Sequence, residues 1–327
     1  MSELKESIAS KKVLILGDVM IDAYYWGSVN RISPEAPVPV VALEKREYRL
    51  GGAANVALNV KALGAHPILC AFVGDDEHAQ TFSERLTANE MPTEGIIKLN
   101  NRKTTVKRRI IGNSHQLLRI DEESEEALTK DQKEKHLTNI KNTIEKFNVD
   151  VIIIEDYDKG AIDREVIEHV TKIAAQLNIP VTVDPKKKNF SSFNNISLFK
   201  PNLLELKEGL RFNKDVSNTD QLSSFVKPFM TSNSIKAVLI TLSEKGVYYE
   251  DQNGNGIIPA HIRNIADVSG AGDTVISVAS LCLSAGLEMK KIAQLSNLAG
   301  GLVCEKVGVV PIDLDQWCEE VTKHKIL

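Results

Sequence analysis

Hydrophobic residues along this 327-residue chain fall into short unbroken runs separated by longer segments of helical period. Val13–Leu16, Pro67–Val73, Val149–Ile154, Val181–Val183, Ile196–Lys200 and Ala237–Leu242 are such runs. Continuous rather than alternating apolar residues are expected of strands covered on both faces, as in a parallel sheet. Between them, Ala53–Leu63, Gln80–Asn89, Lys130–Phe147, Arg164–Asn178, Leu203–Arg211 and Asp220–Ser232 read as helices. The alternation predicts an α/β fold: a doubly wound, mainly parallel sheet flanked by helices, with ligands at the carboxyl ends of the strands.

Two segments, about 20–50 and 103–121, break the alternation. Tyr24–Gly27, Val38–Leu43, Thr105–Ile111 and Gln116–Ile120 are strand-like with no helix between them. They predict a small antiparallel sheet that covers the open end of a single domain spanning residues 1–327. Such a lid would keep water from a reacting group. A lid strand over one site would expose Val38, Val40, Val41 and Leu43, which predicts a homodimer through the lids.

Composition adds exclusions. A formal net charge of −4 gives no reason to expect nucleic acid or an anionic membrane as partner. No apolar stretch approaches the ~20 residues of a membrane span, and residues 1–12 lack the apolar segment of a signal peptide. The four cysteines are scattered without C-x-x-C spacing, as reduced thiols in a cytoplasm would be. The expectation is a cytoplasmic protein.

The chemistry concentrates in Asp267-Val268-Ser269-Gly270-Ala271-Gly272-Asp273, ahead of an apolar run from Thr274 to Ala285. Successive N–H groups at Gly270, Ala271 and Gly272, at the positive end of a helix, suit an anion. Asp273 in the first turn beside that anion could deprotonate an attacking hydroxyl. A glycine turn capping a core helix would use the same residues.

Other constellations sit at strand ends. Asp18 and Asp22 follow the first strand, where carboxylates suit paired sugar hydroxyls, although Asp18 could equally anchor a turn. Gly51, Gly52 and Asn55 open a helix and admit a ligand close to backbone. Asn202 and Glu205 have the spacing of water-mediated Mg²⁺ contact and also of a capping box. Thr241, Ser243 and Gly246 suit nucleotide phosphates or ribose, or a plain hairpin turn. Asn297 and Gly300 leave room for a flat ring, or for tight helix packing. Lys186, Arg108, Arg109 and Arg119 are candidate phosphate-binding cations, with Lys187 and Lys188 read as solvated surface.

In order along nearly the whole chain, these motifs resemble the ribokinase-like, phosphofructokinase-B sugar kinases. The narrower resemblance is to the heptose 7-phosphate kinases of that family. Gly17–Asp22, Arg31–Val41, Gln116–Asp121 and Asp184-Pro185-Lys186 carry it. Ser269 stands where that family usually has threonine, and Lys187-Lys188-Asn189-Phe190 where a glycine-containing turn is expected. The resemblance implies ATP-dependent phosphorylation of an anomeric hydroxyl, with Asp273 as base. Asn202 and Glu205 would act on Mg²⁺ through water, and Asp267 and Ser269 would offer backbone oxygens to K⁺. Lys186 and Arg119 are the favoured readers of a phosphate already on the sugar, because they lie within the matching motifs. No H-x-G-H nucleotidyltransferase signature occurs, which reads as a stand-alone kinase working with a separate nucleotidyltransferase, or as part of a longer protein. A kinase for another sugar phosphate or for a nucleoside, using Tyr24, Tyr25 and Trp26 as an aromatic platform, is the enzymatic alternative. A nucleotide- or sugar-binding protein without catalysis is the other, and it would have no need of Asp273.

Overall fold

The structure is a computed structural model that describes residues 1–124, 126–213, 216 and 218–327. After α1 (Ser2–Ala9) the chain enters β1 (Lys12–Gly17), then leaves as two long lid strands, β2 (Val19–Ile32) and β3 (Pro39–Gly52). It returns through α2 (Ala53–Ala62), β4 (His66–Gly74), α3 (Glu77–Ala88) and β5 (Ile96–Leu99). The other half of the lid is β6 (Val106–Gly112) and β7 (His115–Glu122). Alternation resumes with α4 (Lys130–Phe147), β8 (Val151–Glu155), α5 (Arg164–Leu177), β9 (Val181–Asp184), β10 (Leu198–Phe199), α6 (Leu203–Gly209), α7 (Thr219–Ser232) and β11 (Ala237–Thr241). The hairpin β12 (Val247–Asp251) and β13 (Gly254–Ile258) precedes α8 (Ala271–Ser284), α9 (Met289–Val303) and α10 (Leu314–Lys323).

The main sheet has nine strands in the order β13-β12-β11-β10-β9-β8-β1-β4-β5. It is parallel from β11 to β5, and only the edge hairpin β12–β13 is antiparallel. Central β1 explains why its sequence is apolar without a break. Val13 and Ile15 belong to the core on one face of the sheet, Leu14 and Leu16 to the core on the other. Each such side chain, taken fully from water, contributes ~1.5–3 kcal/mol.

Three expectations change. The strand expected over Ile196–Lys200 shortens to Leu198–Phe199, although the Ser197 and Lys200 N–H groups still donate to Val181 and Val183. The lid sheet, in the order β3-β2-β6-β7, is mixed rather than antiparallel, because β2 and β6 run parallel. Both leave the carboxyl end of the core in the same direction, so their pairing is parallel. Strands β5 and β13 and helices α1 and α10 add to the predicted set. No helix among the described residues is long and apolar enough to cross a membrane.

Candidate active site

The end of β1, the lid and the start of α8 converge at the carboxyl end of the sheet. Asp273 is 5% exposed, and its two oxygens take different partners: Asn55 Nδ2 donates to Oδ2 at 2.6 Å and Tyr157 Oη donates to Oδ1 at 3.0 Å. Burial, and next to it the Asp184 carboxylate, lift its pKa to about 6 against the hydrogen bonds from Asn55 and Tyr157 and the Lys200 ammonium. A carboxylate tuned there is ionised at neutral pH yet basic enough to accept a proton.

Gly270 caps α8 at φ +79°, where a Cβ would come within 2.9 Å of Asn55 Nδ2, so glycine is needed for both backbone and contact. The Ala271 N–H turns back to Val268 O at 3.3 Å, whereas no described residue accepts from the Gly270 or Gly272 N–H. Of the three N–H groups expected from sequence to form the nest, those of Gly270 and Gly272 are open and that of Ala271 is not. Below them lies a buried ion pair, Lys200 Nζ to Asp184 Oδ2 at 2.7 Å. Glu155 beside it is pushed well above the usual carboxylate range by burial and by the Asp184 and Asp273 charges.

On the lid side, Asp22 forms a salt bridge with Arg109, and Gly51 packs against it so closely that a Cβ would sit 2.1 Å from Asp22 Oδ2. Gly52 holds φ +60° at the entry to α2, over the Asp18 carbonyl. Asp18 takes the turn-anchoring role: its carboxylate accepts the N–H groups of Tyr157, Lys159 and Ala161 at 2.9–3.0 Å. Asp22 touches Gly51 and Asn55 touches Asp273, with Asp18 anchored to the backbone after β8.

Lys186 pairs with Glu205, whose other oxygen accepts the Asn202 N–H at 2.8 Å in a complete capping box. Asn202 also bridges to Thr241, which joins the Asn202–Glu205 pair to the Thr241–Gly246 turn. Ser243 and Gly246 form a tight turn in which a Cβ on Gly246 would lie 2.0 Å from Ile258 O, so that glycine serves the hairpin. Asn297 donates to Pro259 O, and a Cβ on Gly300 would lie 2.7 Å from Val275 Cγ2, so close packing of α8 on α9 accounts for its size. Asp267 accepts from the Ser269 N–H and Oγ and the Gly308 N–H, which holds its carboxyl below the usual range although burial works the other way. Arg119 pairs with Asp121 and is half exposed, and Arg108 points to the outer face toward Glu122 and His78.

Glu155 at the end of β8 escaped the sequence reading, and so did Tyr157 and Lys107. Tyr157 lies in Glu155-Asp156-Tyr157, directly after β8, the same strand-end placement that flags Asp18. Lys107 lies between strand residues on the site-facing side of β6, with its ammonium 6.0 Å from the centre of the Tyr157 ring.

The pfkB family carbohydrate kinase model matches residues 10–316 of the chain. The chain belongs to the pfkB carbohydrate kinase family. Among curated proteins it is 36% identical over 306 residues to the bifunctional protein HldE of Helicobacter pylori strain HPAG1, covering 94% of this chain and 65% of that protein. With the HldE of Koribacter versatilis strain Ellin345 it shares 35% over 323 residues, 99% of this chain and 65% of the relative. The chain therefore spans just under two thirds of the length of these relatives. Among solved structures, Escherichia coli phosphofructokinase-2 in complex with potassium superposes with TM-score 0.79 at 16% identity, over 97% of this chain and 99% of that one. Arabidopsis thaliana ribokinase with ribose and ATP gives 0.70 at 16%, over 94% and 98%. These two show the fold of pfkB-type kinases.

Proposed function

We propose that the chain phosphorylates the anomeric hydroxyl of D-glycero-D-manno-heptose 7-phosphate with ATP, giving the 1,7-bisphosphate used for ADP-heptose and lipopolysaccharide core synthesis. The observation that carries this reading is Asp273: a buried carboxylate with its pKa near 6, beside open helix-start N–H groups and facing a lid rich in cations. Asp273 takes the proton of the anomeric hydroxyl. That oxygen bonds to the γ-phosphorus as the bond to the β,γ-bridging oxygen breaks, and ADP leaves. The Gly270 and Gly272 N–H groups meet the charge on the transferring group, where fixed donors act most strongly. Asp22, Gly51, Gly52 and Asn55 would line the sugar, and Asn202, Thr241, Ser243 and Gly246 the nucleotide.

Mg²⁺ would neutralise the phosphate charge when bound. Among the described residues no three His, Cys, Asp or Glu side chains converge to ligate a metal directly. Glu205 keeps unused lone pairs beyond its two contacts, which fits an ion that retains its own waters. K⁺ fits the carbonyl oxygens of Asp267 and Ser269, which accept no hydrogen bond from the described residues. Of the platform that the nucleoside alternative would use, Tyr24 is buried, with Arg49 and Arg109 over its ring and Trp26 stacked beside it. ATP turnover on a panel of sugars and sugar phosphates tests the reading, which fails if an unphosphorylated sugar or a nucleoside is the better acceptor.

A further inference from the structure

On the reading that the acceptor sugar carries a phosphate, we propose that Lys107, rather than Arg119, binds that phosphate together with Lys186. Strand register places the lid cations. The pairs Asp22–Lys107 and Tyr24–Arg109 across β2–β6, and Asp22–Arg49 across β2–β3, put Asp22, Arg49, Lys107 and Arg109 on one face of the lid sheet. The pair Arg109–Arg119 across β6–β7 adds Arg119 to it. This face meets the core: the Arg49 guanidinium donates to Val307 O and Val309 O, and the Val309 N–H donates to Tyr24 Oη.

Three of the four cations are already neutralised. Arg49 pairs with Glu47, Arg109 with Asp22, and Arg119 with Asp121. Asp121 is the residue directly across from Lys107, yet its carboxylate is taken by Arg119 at 2.9 Å. Lys107 has no carboxylate partner among the described residues, although it is half-buried between buried Val106 and half-buried Arg108. A half-buried ammonium with no carboxylate beside it is free to meet an incoming phosphate.

Its ammonium lies 6.0 Å from the centre of the Tyr157 ring, and the Lys186 ammonium lies 5.2 Å from the same centre. The hydroxyl of that ring touches Asp273 Oδ1. Both ammonium groups thus lie over the ring whose hydroxyl holds the base. A sugar with its reacting hydroxyl at Asp273 would bring a phosphate on a remote hydroxyl within reach of unpaired Lys107 and of Lys186, which would share it with its Glu205 partner. The ligand class is a phosphomonoester dianion on a hydroxyl remote from the one that reacts. Lys107 then sets the preference for phosphorylated sugars.

The test compares steady-state kinetics of the wild type, Lys107→Ala and Lys107→Arg on heptose 7-phosphate and on the same heptose without its phosphate. Loss of a charge-assisted contact raises KM for the phosphorylated sugar by about ten- to hundredfold. The unphosphorylated sugar is then used equally by all three, and Lys107→Arg recovers part of the loss. If the wild type prefers the phosphorylated sugar and Lys107→Ala keeps that KM, the assignment to Lys107 is overturned and the sugar-phosphate reading stands. If Lys107→Ala loses equally on both sugars, the residue supports structure instead and the assignment fails. No preference for the phosphorylated sugar in the wild type would overturn the sugar-phosphate reading itself.

Discussion

Tyr157 donates its phenolic hydrogen to Asp273 Oδ1 at 3.0 Å, and Asn55 donates to the other carboxylate oxygen. The carboxylate is therefore aimed from two sides and held ionised against its burial. The phenol itself is pushed well above its ordinary pKa, first by burial and then by the Asp273 carboxylate, so it remains a donor throughout the working range of pH.

This arrangement sets a pH profile. A general base works ionised, so kcat/KM should fall as pH drops through about 6, where Asp273 takes up a proton. Tyr157→Phe removes a donor that favours the carboxylate. A hydrogen bond to a charged group contributes ~1.5–3 kcal/mol, so the acidic limb should move up by ~1–2 pH units. Asn55, Asp184 and Lys200 stay in place, and the substrate's own phosphate titrates as before. A profile lowered uniformly, without a shift of the limb, would assign Tyr157 to folding alone.

Gly51 is the position where size matters most on the sugar side. In Gly51→Ala the new methyl meets Asp22 Oδ2, which must move and strain its salt bridge with Arg109. KM for the sugar should rise about tenfold or more, the order expected when one charge-assisted contact is lost. ATP affinity, measured by calorimetry, should stay unchanged. An unaltered sugar KM would remove Asp22 from the sugar site.

Assembly follows from the outer lid face. Ile32, Val38 and Leu118 are 60%, 51% and 55% exposed, with Leu43, Leu117 and Ile120 also open, whereas Val40 and Val41 are half-buried. Apolar strands left open pair with another copy. Light scattering should give a dimer, and Leu118→Asp should give a monomer. A monomeric wild type at micromolar concentration would reject lid pairing.

The sequence carried most of the core and less of the site. Helix α4 falls on its expected Lys130–Phe147 because Thr129 and Gln132 form a capping box ahead of an apolar stripe. The short α1 and the charged α10 carry few buried positions, Leu4 and Ile8 in one and Trp317 and Val321 in the other. Strand patterns mark which residues are strands but not their neighbours, so the parallel β2–β6 pairing was invisible. That pairing decides which lid cations face the site: Lys107 and Arg109 do, and Arg108 between them does not. Motifs found Asp273 because its glycines are local. Tyr157 reaches it through tertiary contact alone, from a different strand end.

The most direct measurement is turnover and nucleotide binding by Asp273→Asn. Asparagine keeps the size of the side chain and one oxygen that can accept from Tyr157 or Asn55, but it cannot accept from both and cannot take a proton. Removing a general base costs ~10²–10⁴ in rate, so kcat should fall by at least that factor on the preferred sugar phosphate while the ATP dissociation constant stays within a few-fold of wild type. Near-normal turnover by this variant would contradict the account of the site.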